Sequence, residues 1–196
     1  MVYLALIFSY VLGSLSFAII ISKFMKMADP RSYGSKNAGA TNIMRSGNKK
    51  AAVLTLTGDV LKGLIVVIIA RYLFMSLEDG TAIIAICGIL VVLGHIYPLF
   101  FKFKGGKGVA TAIGVILGFN FYLALLLIFT WLIIFKIYKT SSLAAIIANI
   151  LAPIYAYLLM GNNSYFGATL VIACFILYKH KVNIIRIFKG QEHKFE

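Results

Sequence analysis

The sequence predicts an all-α protein: a polytopic membrane helical bundle of seven transmembrane helices, N-terminus outside and C-terminus cytoplasmic. Three observations carry that expectation. Apolar residues make up 61% of the chain and mean hydropathy is +0.95, whereas soluble domains average roughly 45–50% apolar. Several nearly uncharged runs reach the about 20 residues needed to cross a bilayer. The net charge of +13 lies mostly in short segments between those runs. Membrane topology explains such placement better than nucleic-acid binding does. No polar stretch is long enough for a soluble core, so residues 1–196 form a single integral membrane domain.

Apolar segments run near residues 2–22, 51–74, 82–101, 109–136, 142–160 and 164–178. The first begins without a charged leader or a small-residue cleavage site and reads as a retained helix. The next loop, 23–50, carries seven Lys/Arg and is placed in the cytoplasm. In the second helix Asp59 and Lys62 stand at i, i+3, about two turns inside, where isolated charges are costly. They read as a structural ion pair closing the site, with direct catalysis as the alternative. Residues 75–81 hold no Lys or Arg but contain Glu78 and Asp79, so that loop is placed outside.

The 102–107 turn (three lysines) and the 136–139 turn (Lys136 and Lys139) must share the cytoplasmic side. One span between them would separate them; two keep them together. Gly118-Phe119-Asn120 supplies the turn residues for the break. The fourth helix is then short, and local thinning or tilt accommodates it. Gly114 and Gly118 form a GxxxG face, and Ala144, Ala148 and Ala152 repeat small residues every four, as close helix packing in lipid requires. Cys87 and Cys174 fall in apolar segments and read as packing residues, not a disulfide. At the start of the sixth helix, Ser142 could cap it or touch a substrate. Every Lys and Arg except Lys62 and Arg71 ends on the cytoplasmic side.

Three polar clusters gather on that side. Gly34–Arg45, GSKNAGATNIMR, offers Ser35, Asn37, Thr41 and Asn42 as hydrogen-bonding groups, with Gly34 and Gly39 freeing the backbone. Arg45 can fork two N–H donors onto a phosphate. Gly94–Thr111, GHIYPLFFKFKGGKGVAT, ends an apolar run at His95 and Pro98 and then brings Lys102, Lys104 and Lys107 around Gly105, Gly106 and Gly108. Converging N–H groups, lysines and the start of the next helix read as an anion site, with a tight basic turn between two membrane helices as the alternative. It is not a nucleotide P-loop: Phe101 stands where the first glycine belongs, and Gly108 where Ser or Thr would hold magnesium. The third cluster, HKVNIIRIFKGQE, places His180 and Asn183 on one face of a continuing helix, followed by Gly190 and Glu192. No His/Asp/Glu set has metal-ligand spacing, so no metal and no cofactor are expected.

These three motifs, with DVLKG at Asp59–Gly63 and SLA at Ser142–Ala144, resemble the bacterial acyl-phosphate:glycerol-3-phosphate acyltransferases, the PlsY family. The resemblance covers nearly the whole chain. It implies transfer of an acyl group from acyl phosphate to the 1-hydroxyl of sn-glycerol 3-phosphate, giving lysophosphatidic acid and phosphate. That is the first step of phospholipid biosynthesis at the cytoplasmic face of the bacterial plasma (inner) membrane, beside the enzyme that makes acyl phosphate. By position it implicates Ser35, Arg45, His180 and Asn183 in activity, Gly105, Gly106 and Gly108 in holding glycerol 3-phosphate, and Glu192 in structural integrity. Gly34, Asn37, Thr41, Asn42, His95, Lys104, Lys107 and Ser142 complete the expected substrate-binding set, with Asp59 and Lys62 structural. The sequence departs from the family pattern at Lys36, where glycine is common, at Ala145, where a second serine often follows SLA, and at Val182.

An acyl phosphate is already activated, so positioning the hydroxyl and neutralising phosphate charge can carry the reaction. The HxxxxD pair of another glycerolipid acyltransferase class is absent, since no aspartate stands at that spacing after His95, His180 or His193. His180 and a phosphate oxygen of a bound substrate remain as candidate bases. Ser35 as a covalent acyl carrier is a third route, without a base adjacent in sequence. A permease for phosphorylated solutes is the competing class. It should keep its binding polar groups near mid-membrane, where only Asp59 and Lys62 lie. A non-catalytic assembly factor would account for the helices but not for three anion-shaped motifs.

Overall fold

The first expected span is broken. In the computed structural model, which describes residues 1–161 and 163–195, α1 (Val2–Gly13) and α2 (Phe17–Phe24) meet at an angle of 47° across Ser14-Leu15-Ser16. Ser14 Oγ donates to the Tyr10 carbonyl at 2.9 Å, and back-bonding of this kind bends helices. The break leaves the Leu15 carbonyl without a helical partner, and Lys62 Nζ donates to it at 2.8 Å.

The chain continues through α3 (Ala40–Arg45), α4 (Lys49–Phe74), α5 (Gly80–Ile96), a 3-10 turn (Leu99–Phe101), α6 (Val109–Phe119), α7 (Phe121–Tyr138), α8 (Ser141–Met160), α9 (Ser164–Lys179) and α10 (Lys181–Phe188). No strand occurs among the described residues. By length and composition α4, α5 with its 3-10 turn, α7 and α8 can each cross a membrane. The pairs α1–α2 and α9–α10 qualify only as bent units, the second bent by 59°. Helix α6 has 11 residues, about 16 Å, roughly half of a hydrocarbon core. The break before α7 falls where the charge pattern requires it. Asn120 is extended, and its Oδ1 accepts the Leu123 N–H at 2.9 Å, an N-cap.

Glycine contacts fix the bundle. A Cβ on Gly63 would strike the Thr111 carbonyl, and one on Gly114 the Val60 carbonyl, so α4 and α6 touch backbone to backbone. Helices α1 and α5 meet likewise, Gly13 against Val91 and Gly94 against Tyr10. Lipid supplies no hydrophobic drive between helices, and contacts this close provide the attraction instead. The interior combines Val66, Val67, Ile84, Val91, Val115 and Ile172 from α4, α5, α6 and α9. Ala144, Ala148 and Ala152 are buried on α8, as their spacing suggests. Phe121, Phe129, Ile133 and Ile137 of α7 point outward, as apolar residues facing acyl chains should. Cys87 is buried, but Cys174 is exposed, so only the first is a packing residue.

Candidate functional site

At one end of the bundle a buried ionic cluster organises the loops. Asp59 Oδ1 lies 2.8 Å from Lys62 Nζ and 3.3 Å from His95 Nδ1. Lys62 Nζ is also 3.0 Å from His95 Nδ1 and donates to the Leu15 carbonyl, while Asp59 Oδ1, paired with it by charge, is buried without a hydrogen-bond partner. With Nδ1 accepting from Lys62, the His95 ring carries its proton on Nε2. The pair expected from i, i+3 spacing is present and is extended by a third member that sequence spacing could not supply. His95 is 5% exposed and holds a loop. Its carbonyl accepts the Gly106 N–H at 3.2 Å, and a Cβ on Gly106 would strike its Nε2.

The glycine-rich loop binds itself more than expected. The N–H groups of Phe103, Lys104 and Gly106 are spent on the carbonyls of Pro98, Phe101 and His95. Gly105 and Gly106 are glycine because a Cβ on either would collide with His95. Gly108 has φ 92° and starts α6, whose first-turn N–H groups lack intrahelical partners. The Gly106 N–H, bonded to the His95 carbonyl, is therefore not free to join a nest across the two glycines.

From this loop Lys107 reaches the C-terminal segment, its Nζ donating to Asn183 Oδ1 at 2.6 Å. Asn183 Nδ2 donates to Glu192 Oε1 at 2.8 Å, and Ser142 Oγ donates to the same oxygen at 2.9 Å. The other carboxylate oxygen, Oε2, is buried with no hydrogen-bond partner. Burial pushes the Lys107 ammonium down to about 8, against the opposing pull of Glu192 and with help from Arg45, Arg186 and Lys179. Arg45 is likewise lowered by burial, opposed by Glu192. Its guanidinium lies 5.3 Å from the Phe195 ring centre, and the Phe195 N–H donates to the Lys139 carbonyl at 2.7 Å. The end of the chain is thus a strap across Arg45. Thr41 Oγ1 sits 3.4 Å from Ser141 Oγ, tying the first loop to α8. Ser142 is neither the cap of α8 nor open to solvent: Thr140 holds the cap position, and the Ser142 hydroxyl is engaged by Glu192.

His180 stands at the bend between α9 and α10, so the helix expected to continue from it turns away by 59°. Its Nδ1 is 2.8 Å from the Ile176 carbonyl, which can only accept, so Nδ1 carries the proton and Nε2 the lone pair. His180 lies past the end of α9. Burial, and then the Lys107 ammonium, push it down to about 4.

In the first loop Asn42 is 1% exposed and committed internally: Oδ1 accepts the Ser35 N–H at 2.9 Å, and Nδ2 donates to the Pro30 and Tyr33 carbonyls. It shapes the loop rather than facing a ligand. Gly34, at φ 55°, leaves room for that amide. Ser35 and Asn37 are half-buried. Lys104 and Gly105 do not join Lys107. They line a separate cavity of about 420 Å³ with Arg31, Lys36 and Lys102. Arg31, Arg186, Thr140 and Phe195 carry no local motif, and only the dense charge of the first loop signals Arg31. The described residues contain no group of three or more His, Cys, Asp or Glu able to hold a metal.

A helical membrane bundle carrying a half-buried, cation-rich polar site on four converging segments is the class that fold and geometry define. A model of the glycerol-3-phosphate acyltransferase family matches residues 3–190. The chain is 51% identical over 187 residues to the glycerol-3-phosphate acyltransferase of Chromobacterium violaceum, covering 95% of this chain and 91% of that protein. It is 48% identical over 191 residues to that of Coxiella burnetii, covering 97% and 96%. The crystal structure of PlsY, an integral membrane glycerol 3-phosphate acyltransferase, in its glycerol 3-phosphate form superposes with TM-score 0.93 at 40% identity, covering 100% of this chain and 96% of that one. The chain belongs to the glycerol-3-phosphate acyltransferase family, the PlsY family.

Proposed function

We propose that the protein transfers a fatty acyl group from acyl phosphate to the 1-hydroxyl of sn-glycerol 3-phosphate, giving lysophosphatidic acid and inorganic phosphate. The observation that carries this reading is the convergence of Lys107, Arg45, Asn183, Glu192 and Ser142, from four distant segments, on one half-buried polar site. Crystal forms of the related PlsY with glycerol 3-phosphate and with lysophosphatidic acid support the acceptor and the product. The deep charges of Asp59 and Lys62 are paired with each other, which argues against a mid-membrane carrier site. The test is purified protein with palmitoyl phosphate and labelled glycerol 3-phosphate, with acyl-CoA and acyl-carrier protein as rival donors. Product from acyl phosphate is expected; product only from a thioester overturns the donor assignment.

In this reading Lys107 and Arg45 neutralise phosphate charge while the acceptor hydroxyl is held against the acyl carbonyl carbon. The hydroxyl oxygen bonds to that carbon, the mixed-anhydride C–O bond breaks, and phosphate leaves with the electron pair. Ser35 and Asn37 bind substrate from the first loop, and Ser142 with Glu192 positions Asn183. The hydroxyl proton passes to a phosphate oxygen. A phosphate ester's second pKa near ~6 makes it a better acceptor than His180, which sits at about 4. A His180→Asn variant keeps an N–H for the Ile176 carbonyl. It is expected to lose less than about tenfold in kcat with the acid limb of the pH profile unmoved, whereas loss of a true general base costs ~10²–10⁴. A drop in that larger range would restore His180 as the base.

Lys107 sets the alkaline limb. It is charged below about 8 and loses its proton above that value, so kcat/KM for glycerol 3-phosphate should fall with rising pH there. In Lys107→Arg the limb should move beyond about pH 10, because guanidinium stays charged. An unmoved limb would remove Lys107 from phosphate neutralisation.

The proposed topology has seven spans, with α1–α2 counted as one and α6 and α9 as short spans, the N-terminus outside and the polar site, with α10, at the cytoplasmic face of the bacterial plasma membrane. The Lys/Arg distribution supports it. A cysteine replacing Asn120 should react with an impermeant thiol reagent from outside. Reaction only from inside would refute the arrangement. The enzyme that supplies acyl phosphate is the proposed neighbour.

A further inference from the structure

We propose that the cavity lined by Arg31, Lys36, Lys102, Lys104 and Gly105 is a second phosphate-binding site, separate from the site built on Lys107, and that it holds the phosphate group of a soluble ester or of a lipid headgroup. Its volume of about 420 Å³ suits a small phosphorylated molecule. Four of its five lining residues are cations and none is acidic.

Two features show this basic concentration to be built rather than incidental. The first is Arg31, whose Nε and Nη2 are clamped by the Asp29 carboxylate at 2.7–3.2 Å while Nη1 donates to the Phe101 carbonyl at 3.3 Å. That bridge ties the first loop to the 99–104 turn and holds the two walls together. Lys36, Lys102 and Lys104 have no carboxylate partner among the described ion pairs. The second is the backbone. Lys36 has φ 55°, Lys102 56° and Phe103 58°, left-handed values that side-chain-bearing residues adopt at a cost. Lys26 and Lys139 adopt the same values at turns away from the cavity; at Lys36 and Lys102 the turns form its wall.

The cavity also sits beside exposed Leu99, Phe100 and Phe103, an apolar rim suited to the headgroup layer, so both soluble and lipid phosphates can reach it. The site does not depend on the acyl-transfer reading. Lys104 and Lys107 are three residues apart, yet one lines this cavity and the other bonds Asn183.

The experiment places the full chain in phosphatidylcholine nanodiscs and measures lysine acetylation rates by mass spectrometry. Three probes are compared: inorganic phosphate, glycerol 3-phosphate, and nanodiscs in which phosphatidylglycerol replaces a fifth of the phosphatidylcholine. At least one is expected to slow acetylation of Lys36, Lys102 and Lys104 by about fivefold, the protection given by four-fifths occupancy, while Lys49 and Lys50 are unaffected. The effective arm identifies the source. A Lys36→Gly variant relieves the left-handed backbone and should fold normally, yet lose most protection at Lys102 and Lys104. A Lys107→Met variant should keep it. Equal slowing at Lys49 and Lys50, or no slowing in any arm, overturns the proposal, as does loss of protection in Lys107→Met. Absence of acyl transfer in the donor assay leaves these readouts untouched, so the two readings fail separately.

Discussion

Lys107→Met is expected to lower kcat/KM for glycerol 3-phosphate by about 10²–10³-fold, the usual consequence of removing one preorganised charge from a water-poor site. The side chain is long enough to leave the Gly108 turn and meet Asn183 at 2.6 Å, where Glu192 and Arg45 act on it from opposite directions. Burial has already brought its proton affinity down to about 8. A cation desolvated to this extent gains more from an arriving phosphate than a surface lysine would. Methionine keeps the length and apolar stem but leaves Asn183 Oδ1 without its donor. Thermal unfolding should therefore be measured alongside the rate. An unchanged midpoint with the expected loss assigns the effect to chemistry, whereas retention of more than about a tenth of wild-type activity is too small a change for a positioned charge. Lys107→Arg should fall between the two, because the charge remains but the single-point contact with Asn183 does not fit a planar fork.

Much of the arrangement was legible from the order of residues, because membrane physics leaves so few options for an apolar chain. The break at Asn120 follows from lysine placement and the turn residues Gly118-Phe119-Asn120, and the glycines at 114 and 118 announce close helix contacts. What stayed hidden shares one physical cause: contacts between residues far apart in sequence. His95 sits 33 residues from Lys62, yet its ring bonds the lysine and its carbonyl holds Gly106. Asn42 looked like a ligand-facing amide because nothing local signals that its three partners lie on its own loop. Two kinks were equally invisible. Ser14 and Ser16 in an apolar run gave only a weak hint of the first. The second, at His180, was masked because apolar residues resume at Val182 and keep the pattern of a continuing helix. The Lys104–Lys107 pair was read as one site, although two glycines packed on His95 turn the lysines toward different walls.

Removing either member of the Asp59–Lys62 pair alone should destabilise the bundle by about 3–5 kcal/mol, the range for an uncompensated buried charge. Both side chains are almost fully buried, at 1% and 2% exposure, so water cannot replace a missing partner. Lys62→Met has the further effect of stranding the Leu15 carbonyl at the α1–α2 break and freeing His95 Nδ1. Because His95 carries Gly106, this change should also loosen the loop that delivers Lys107, and activity should fall with stability. Asp59→Asn leaves Lys62 its bonds to the Leu15 carbonyl and His95 Nδ1 and should lie at the mild end. The double variant Asp59→Leu with Lys62→Met removes both charges together, and replacing a buried pair by apolar groups is often neutral or better. It should therefore recover at least about 2 kcal/mol of the single-site loss. Its activity should recover less, since the Leu15 carbonyl and the His95 ring both remain without the ammonium that positions them. Equal recovery of stability and activity would show the cluster to be a packing element alone, with no hold on the glycine loop.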